Sequence, residues 1–311
     1  MLHVRGIILV TTLALLALFV ALRVTARAEG VPRTIRARAV GGEECEKARA
    51  EKGPLALELA KANLKLRAGE SIVYDVRVNG MPAGKASLEV AKTDTMDLSG
   101  GPSVWITRLN IRSNRAVSLF YDVHTRATSK IDVNGGFSRF YNIERKDGEI
   151  SNEESAAFDY DIKTMTAHYE RRRLNDSGMR SNTIPLCGNV LDPLSAIYYL
   201  RSVEFSKYKV GDSIELPVCA DRRVWSGQLK VLSMGRGDFG DLRKRSYVEL
   251  KADVPFKGLF ERKGAMIICV DAQTGVPLRM DVEIPIGTAE VEISDHTKSP
   301  FEPNFKDKDD N

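Results

Sequence analysis

The sequence predicts a mainly β domain, a curved antiparallel sheet or partly closed barrel with one buried helix near residues 191–204. Three observations carry this. From Ala68 onward large apolar residues recur with a period of two, as on a half-buried strand. The alternating segments are joined by short turn-forming stretches, which favours neighbouring antiparallel strands over a helix-connected parallel sheet. One segment alone, Leu191 to Val203, breaks the alternation.

The elements follow in order. Ile7 to Leu22 is an uncharged apolar run of sixteen residues preceded by Arg5, the layout of a secretory signal. The small-x-small triplet Ala26-Arg27-Ala28 places a cleavage point before Glu29. The run is just shorter than the roughly 17 to 25 residues of a membrane-spanning helix, so residues 1–28 read as a signal peptide or an N-terminal membrane anchor. The arginines behind it, Arg23, Arg27, Arg33, Arg36 and Arg38, pull against export by the positive-inside rule. Residues 29–65 read as a linker, with a short helix over Leu55 to Leu66.

The β-rich domain is expected over residues 66–296. Ile72, Tyr74, Val76 and Val78 face Ala86, Leu88 and Val90 across the turn Asn79-Gly80-Met81-Pro82. Further strands are expected at Val104 to Ile111, Leu119 to Ala127, Phe137 to Glu144 and Thr164 to Arg171. Others follow at Ile214 to Val218, Trp225 to Leu232, Tyr247 to Val254, Ala265 to Val270, Val276 to Ile284 and Ala289 to Ile293. The interrupting helix starts well: Asp192 can accept from exposed backbone amides, and Pro193 lacks only an amide that would be unpaired there. It is apolar nearly all round, so it is expected inside or against the sheet. Residues 297–311 are charged and read as a disordered tail.

Leu66-Arg67-Ala68-Gly69-Glu70 before Tyr74, the turn from Gly80 to Gly84, Asp192 to Arg201 and Gly275-Val276-Pro277-Leu278-Arg279 together resemble the bacterial family catalogued as domain of unknown function 3108. The resemblance covers about residues 66–296 and implies an exported envelope protein with a β-rich, partly closed sheet. It brings no activity or catalytic residue. Such a sheet with an internal helix is also similar to periplasmic lipoprotein carriers, an analogy of fold alone.

Charge excludes one class of partner. Of 46 Lys and Arg, three precede the expected cut and no acid does, leaving 43 against 42, so nothing points to nucleic acid. The four cysteines, Cys45, Cys187, Cys219 and Cys269, are widely spaced without a C-x-x-C pair, which suits a structural disulfide better than zinc. Three complete pairings are open, and Cys187 with Cys219 is carried as the candidate. His124, His168 and His296 share no ligand spacing, so no metal and no cofactor is expected.

Catalytic signatures are missing. Gly235-x-Gly237-x-x-Gly240 matches a dinucleotide fingerprint literally, but a strand and not a helix follows, so a hairpin loop is expected. Asp159 and Asp161 would share a face about 7 Å apart if they lie on one strand, within range of paired acid-base carboxylates, though a solvated strand face explains them as well. The basic clusters Arg171 to Arg173, Arg222-Arg223 and Arg243 to Arg245 read as solvated hairpin ends.

Arg201 follows Leu194, Ile197 and Tyr198 at helical spacing and so points inward, where a guanidinium needs a partner. It is either a structural ion pair or snorkelling arginine, or an anchor for the anionic head of a ligand, with Tyr198 and Tyr199 as amphipathic walls. The expected function is accordingly a non-enzymatic periplasmic protein that binds a lipid, lipoprotein or other apolar ligand in a sheet-lined cavity. The alternative is a membrane-anchored structural or interaction module pairing a sheet edge with an envelope protein. A glycan-acting enzyme is the third reading.

Overall fold

The computed structural model describes residues 38–40, 64–95, 101–148, 150–161, 165–173, 178–254, 264–284 and 287–301. Fifteen strands form one antiparallel sheet: β1 (Arg38–Val40), β2 (Ser71–Val78), β3 (Met81–Thr95), β4 (Ser103–Ser113), β5 (Val123–Asp132), β6 (Ser138–Asp147), β7 (Ile150–Asp159), β8 (Thr166–Arg173), β9 (Met179–Pro185), β10 (Ser213–Ala220), β11 (Arg223–Phe239), β12 (Leu242–Val254), β13 (Gly264–Asp271), β14 (Pro277–Ile284) and β15 (Gly287–Lys298). A four-residue helix, α1 (Arg115–Ser118), lies between β4 and β5, and α2 (Pro193–Tyr199) follows β9.

Two meanders join where β15 pairs with β2, so the order runs β1-β11-β12-β13-β14-β15-β2 and on through β9, with β10 on the other side of β11. The two-residue turn between β2 and β3 has both Asn79 and Gly80 at positive φ, 50° and 78°, the mirror-image turn that matches strand twist and favours this residue pair. Register shifts in β3:β4 between Val90 and Thr93, and in β11:β12 between Val231 and Ser233, bend the strands. The sheet stays open, but one bridge spans its two ends. Just after β9, Leu191 N donates to Pro217 O at 2.8 Å, and Cys219 N of β10 donates to Leu191 O at 2.7 Å.

The alternating apolar residues form the inner face: Ile72, Tyr74, Leu88, Val90, Leu109, Ala127, Tyr141, Ile143 and Ala167, from strands expected from sequence, are buried together with Ile131, Phe158, Leu191, Leu194, Ile197 and Tyr198. Two hairpin ends use the same device. Asp132 accepts from Asn134 N and Gly135 N and binds Arg139, while Asp271 accepts from Gln273 N and Thr274 N and binds Arg245. At the second, Gly275 has φ 68° and lies against Leu200 O and the Cα of Arg201, so any side chain there would collide with the end of the helical segment.

Several boundaries differ from expectation. The helix is shorter than residues 191–204: α2 tightens into a 3₁₀ turn over Leu200–Ser202. The stretch read as linker contains β1, which pairs with β11 from Arg38↔Ser226 to Val40↔Val224. Of the helix expected over Leu55 to Leu66, residues 55–63 lie outside the described residues. Leu64, Leu66, Ala68 and Glu70 instead alternate buried with exposed neighbours in a non-helical segment that has Lys65 and Gly69 at positive φ and closes a turn with Glu70 N donating to Arg67 O. β5 begins at Val123 rather than Leu119, because α1 and the turn after it occupy residues 115–122. Residues 297–301 of the expected tail belong to the fold: β15 reaches Lys298, Ser299 is buried, and the Phe301 ring packs edge-on to His296 and under Arg245. Residues 1–28 and 302–311 lie outside the described residues.

Candidate functional site

The segment predicted to carry the site does sit on the concave side. Asp192 caps α2, with Oδ1 accepting from Leu194 N at 2.8 Å and Ser195 N at 2.9 Å. Its Oδ2 accepts from Ser129 Oγ of β5 and Ser138 Oγ of β6, both at 2.6 Å. Ser195 Oγ accepts from Asp192 N at 2.8 Å, completing a capping box, and lies 2.7 Å from Ser138 Oγ. A fully buried carboxylate thus rests on four donors and no cation, and its pKa is raised because burial outweighs the hydrogen bonds that lower it.

Arg201 lies just past the C-terminal end of α2, with 4% of its surface exposed. Its Nη1 donates to Glu70 Oε1 at 2.7 Å and its Nη2 to Glu70 Oε2 at 3.3 Å and Lys65 O at 3.0 Å. Glu70 is 2% exposed. Of the two readings open for Arg201, the geometry is that of the structural ion pair: the guanidinium is neutralised inside the fold. Tyr198 is buried and donates to Glu89 O at 3.0 Å, whereas Tyr199 is half-buried. Burial pushes both hydroxyls up, most at Tyr198, where the Glu70 carboxylate adds to it. Arg201 and Tyr198 therefore come together, but as packed and bonded structure.

The candidate disulfide between Cys187 and Cys219 is not formed. Cys187 is disulfide-bonded and its partner lies outside the described residues, while Cys219 and Cys269 are free and buried. Sequence spacing could not separate these pairings. Burial pushes the Cys219 thiol up to about 12, helped by Asp192, and the Cys269 thiol up to about 11, helped by Glu249. Neither forms much thiolate at neutral pH, so neither is a ready nucleophile. In the native protein Cys219 and Cys269 are expected to resist a maleimide reagent and both to label on unfolding, with Cys187 labelling only after reduction. Peptide mapping by mass spectrometry reads this, and native labelling of Cys219 would contradict its placement.

The remaining candidates separate. β7 ends at Asp159, whose Oδ1 accepts from Asp161 N at 2.9 Å, so the two aspartates form a turn and not a same-face pair. Gly235 and Gly237 lie in β11 and Gly240 in the turn to β12, the hairpin expected. Among the described residues no group of three or more His, Cys, Asp and Glu could hold a metal ion. His168 lies beside Glu170 and His296 beside Asp241.

Sequence reading missed a second buried polar group. On the inner face of β6, β7 and β8, Glu154 binds Arg145 at 3.1 Å and accepts from Tyr169 Oη at 2.7 Å, with Arg171 Nε at 3.5 Å. Asn152 beside them is buried with neither side-chain polar atom bonded. A small hollow of about 90 Å³ lies nearby, lined by His124, Arg126, Glu144, Arg145, Lys146 and Ser151. It is polar and far smaller than a lipid site. A further exposed feature is a sheet edge: β9 ends the strand order, and Met179 to Thr183 are all exposed. Among the described residues no strand pairs with its outer side.

Fold and interior together define a curled antiparallel sheet with a capped helix packed into its concave side. The chain belongs to the family described as protein of unknown function (DUF3108), whose model matches residues 73–294. No curated protein matches the chain in sequence. Among solved structures it is similar to a beta-barrel-like protein of domain of unknown function DUF1849 from Brucella abortus. The identity is 9% and the TM-score 0.47, over 73% of this chain and 97% of that one.

Proposed function

We propose that the chain is a non-enzymatic protein of the cell envelope that holds a partner protein through its exposed sheet edge. The observation that carries this is β9: a terminal strand whose residues 179–183 are exposed, with backbone groups available for an added strand. The export signal read at Ile7 to Leu22 supports an envelope location. The packing of α2 among the described residues favours an edge over a cavity. Where a lipid or lipoprotein acyl chain would need open apolar space, α2 packs Leu194, Ile197 and Tyr198 against the sheet, and Arg201 is already paired with Glu70.

A photo-crosslinking residue placed at Asn182 and activated in intact cells tests the reading. One discrete protein adduct is expected, absent when the same residue stands at Ala157, which is exposed within β7. Equal adducts at both positions, or none at either, would sink the edge. Solvent extraction of the purified protein with mass spectrometry separates the two forms of the reading: stoichiometric lipid would move the site to the interior.

A further inference from the structure

One rim of the sheet is formed by the β2–β3 turn, the β4–β5 connection and the β6–β7 turn. Three large apolar side chains stand out from it: Met81 is 68% exposed, Leu119 77% and Phe120 79%, with the exposed Tyr121 next in the chain. Burial drives such groups inward, so adjacent exposed Leu and Phe on one tip need an explanation.

The tip is held rigidly. Asn114 caps α1, its Nδ2 donating to Pro82 O and its N to Ala83 O, both at 2.8 Å. Phe120 N and Tyr121 N both donate to Val117 O. Asp122 O accepts from Gly148 N at 2.9 Å, and its carboxylate binds Lys146 at 2.7 Å. Leu119 and Phe120 are thus presented by a bonded turn.

The surface around them is cationic. Arg112, Arg115 and Arg126 are exposed and form no ion pair among the described residues. Arg112 and Lys146 flank His124 directly across the strands. Of the described carboxylates here, Asp122 is bound to Lys146, Asp75 to Lys85 and Glu153 to Arg172, and Glu144 lies opposite Arg126. On the described part of this surface, three arginines without an ion pair thus stand beside one carboxylate, Glu144, that is not already bound. The His124 imidazole is held below its ordinary pKa first by desolvation and then by Arg126 and Arg112, against the smaller opposing pull of Asp122 and Glu144.

We propose that this rim docks on an anionic lipid bilayer, with Met81, Leu119 and Phe120 entering the headgroup layer and Arg112, Arg115 and Arg126 meeting lipid phosphates. Apolar wedges ringed by arginine are what an interfacial contact uses, the cations supplying attraction to anionic lipid and the side chains the depth. The inference is independent of the β9 edge and of the N-terminal apolar run, which gives no selectivity for anionic lipid by itself.

The test uses the full chain with Leu119→Cys carrying a polarity-sensitive fluorophore, since the native free thiols are buried. Vesicles of phosphatidylcholine alone are compared with vesicles that also contain phosphatidylglycerol. A blue shift is expected with the anionic vesicles only, reversed by high salt. The Arg112→Glu/Arg115→Glu variant should need at least about tenfold more lipid for the same shift. The same label at Ala157→Cys should not respond. An unshifted Leu119 label with anionic vesicles, an equal shift with neutral ones, or an unchanged response in the double-Glu variant overturns the proposal.

Discussion

Arg201→Met is expected to lower the unfolding free energy by about 3 to 5 kcal/mol, because it leaves the Glu70 carboxylate buried without its cation. The neighbouring tyrosine hydroxyls are already committed. Glu70 is 2% exposed, and around it lie Tyr74, whose hydroxyl donates to Pro277 O, and Tyr198, whose hydroxyl donates to Glu89 O. Burial and the Glu70 charge both push the Tyr74 hydroxyl up, so it stays a neutral donor already in use. Glu70→Leu alone should be of similar severity, since it strands the guanidinium. Combining Glu70→Leu with Arg201→Met should restore most of the loss, because neither buried charge is then left alone. Urea denaturation of the four proteins gives the coupling. A single Arg201→Met within about 1 kcal/mol of wild type would mean the pair is solvated like a surface one.

That pair also marks how far the sequence could be read. The local signals were legible: Asn79-Gly80 forms the mirror-image turn its residues favour, and Asp192-Pro193 starts a helix by the mechanism expected of a cap followed by proline. Arg201 pointing inward followed from helical spacing. Its partner did not, because Glu70 lies 131 residues earlier and no periodicity encodes a contact of that range. β7 was missed for a chemical reason. Its inner face begins with Asn152 and Glu154, buried polar residues that interrupt the apolar alternation until Ala156 and Phe158. β9 was missed because an edge strand with residues 179–183 exposed has no apolar face to betray it.

The two buried polar centres set different constraints on function. Around Arg145, Glu154 and Tyr169 the inner face of β6 to β8 is polar, while α2 is pinned by Asp192 and buries Leu194, Ile197 and Tyr198 in the apolar core. An acyl chain entering the sheet would have to displace the first or unpack the second. Edges and rims carry no such penalty, since their groups are solvated beforehand. This difference is what turns the functional reading outward, to β9 for a protein strand and to the Leu119–Phe120 tip for a bilayer surface.

Asp192→Ala should cost about 3 kcal/mol or more, combining a lost helix cap with buried donors left unpaired at Ser129 and Ser138. Asp192→Asn should cost less, since its carbonyl keeps the bonds from Leu194 N and Ser195 N and only the serine side must rearrange. The pH dependence separates this site from an ordinary capped aspartate. Four donors pull the Asp192 pKa down, but burial without a cation pulls harder upward from 3.8. The folded protein therefore binds this proton more tightly than the unfolded chain does. The group's contribution is complete below 3.8 and is lost as pH rises through the raised folded value. The exposed carboxylates Asp75, Asp122 and Asp238 shift the opposite way, so total stability hides the effect. The difference between wild type and Asp192→Ala removes those common contributions and should widen as pH falls from neutral toward 3.8. A gap that narrows on acidification would mean that the four donors hold Asp192 as a stabilised anion. The helix would then rest on a buried charge, and acid would be expected to release α2 from the sheet.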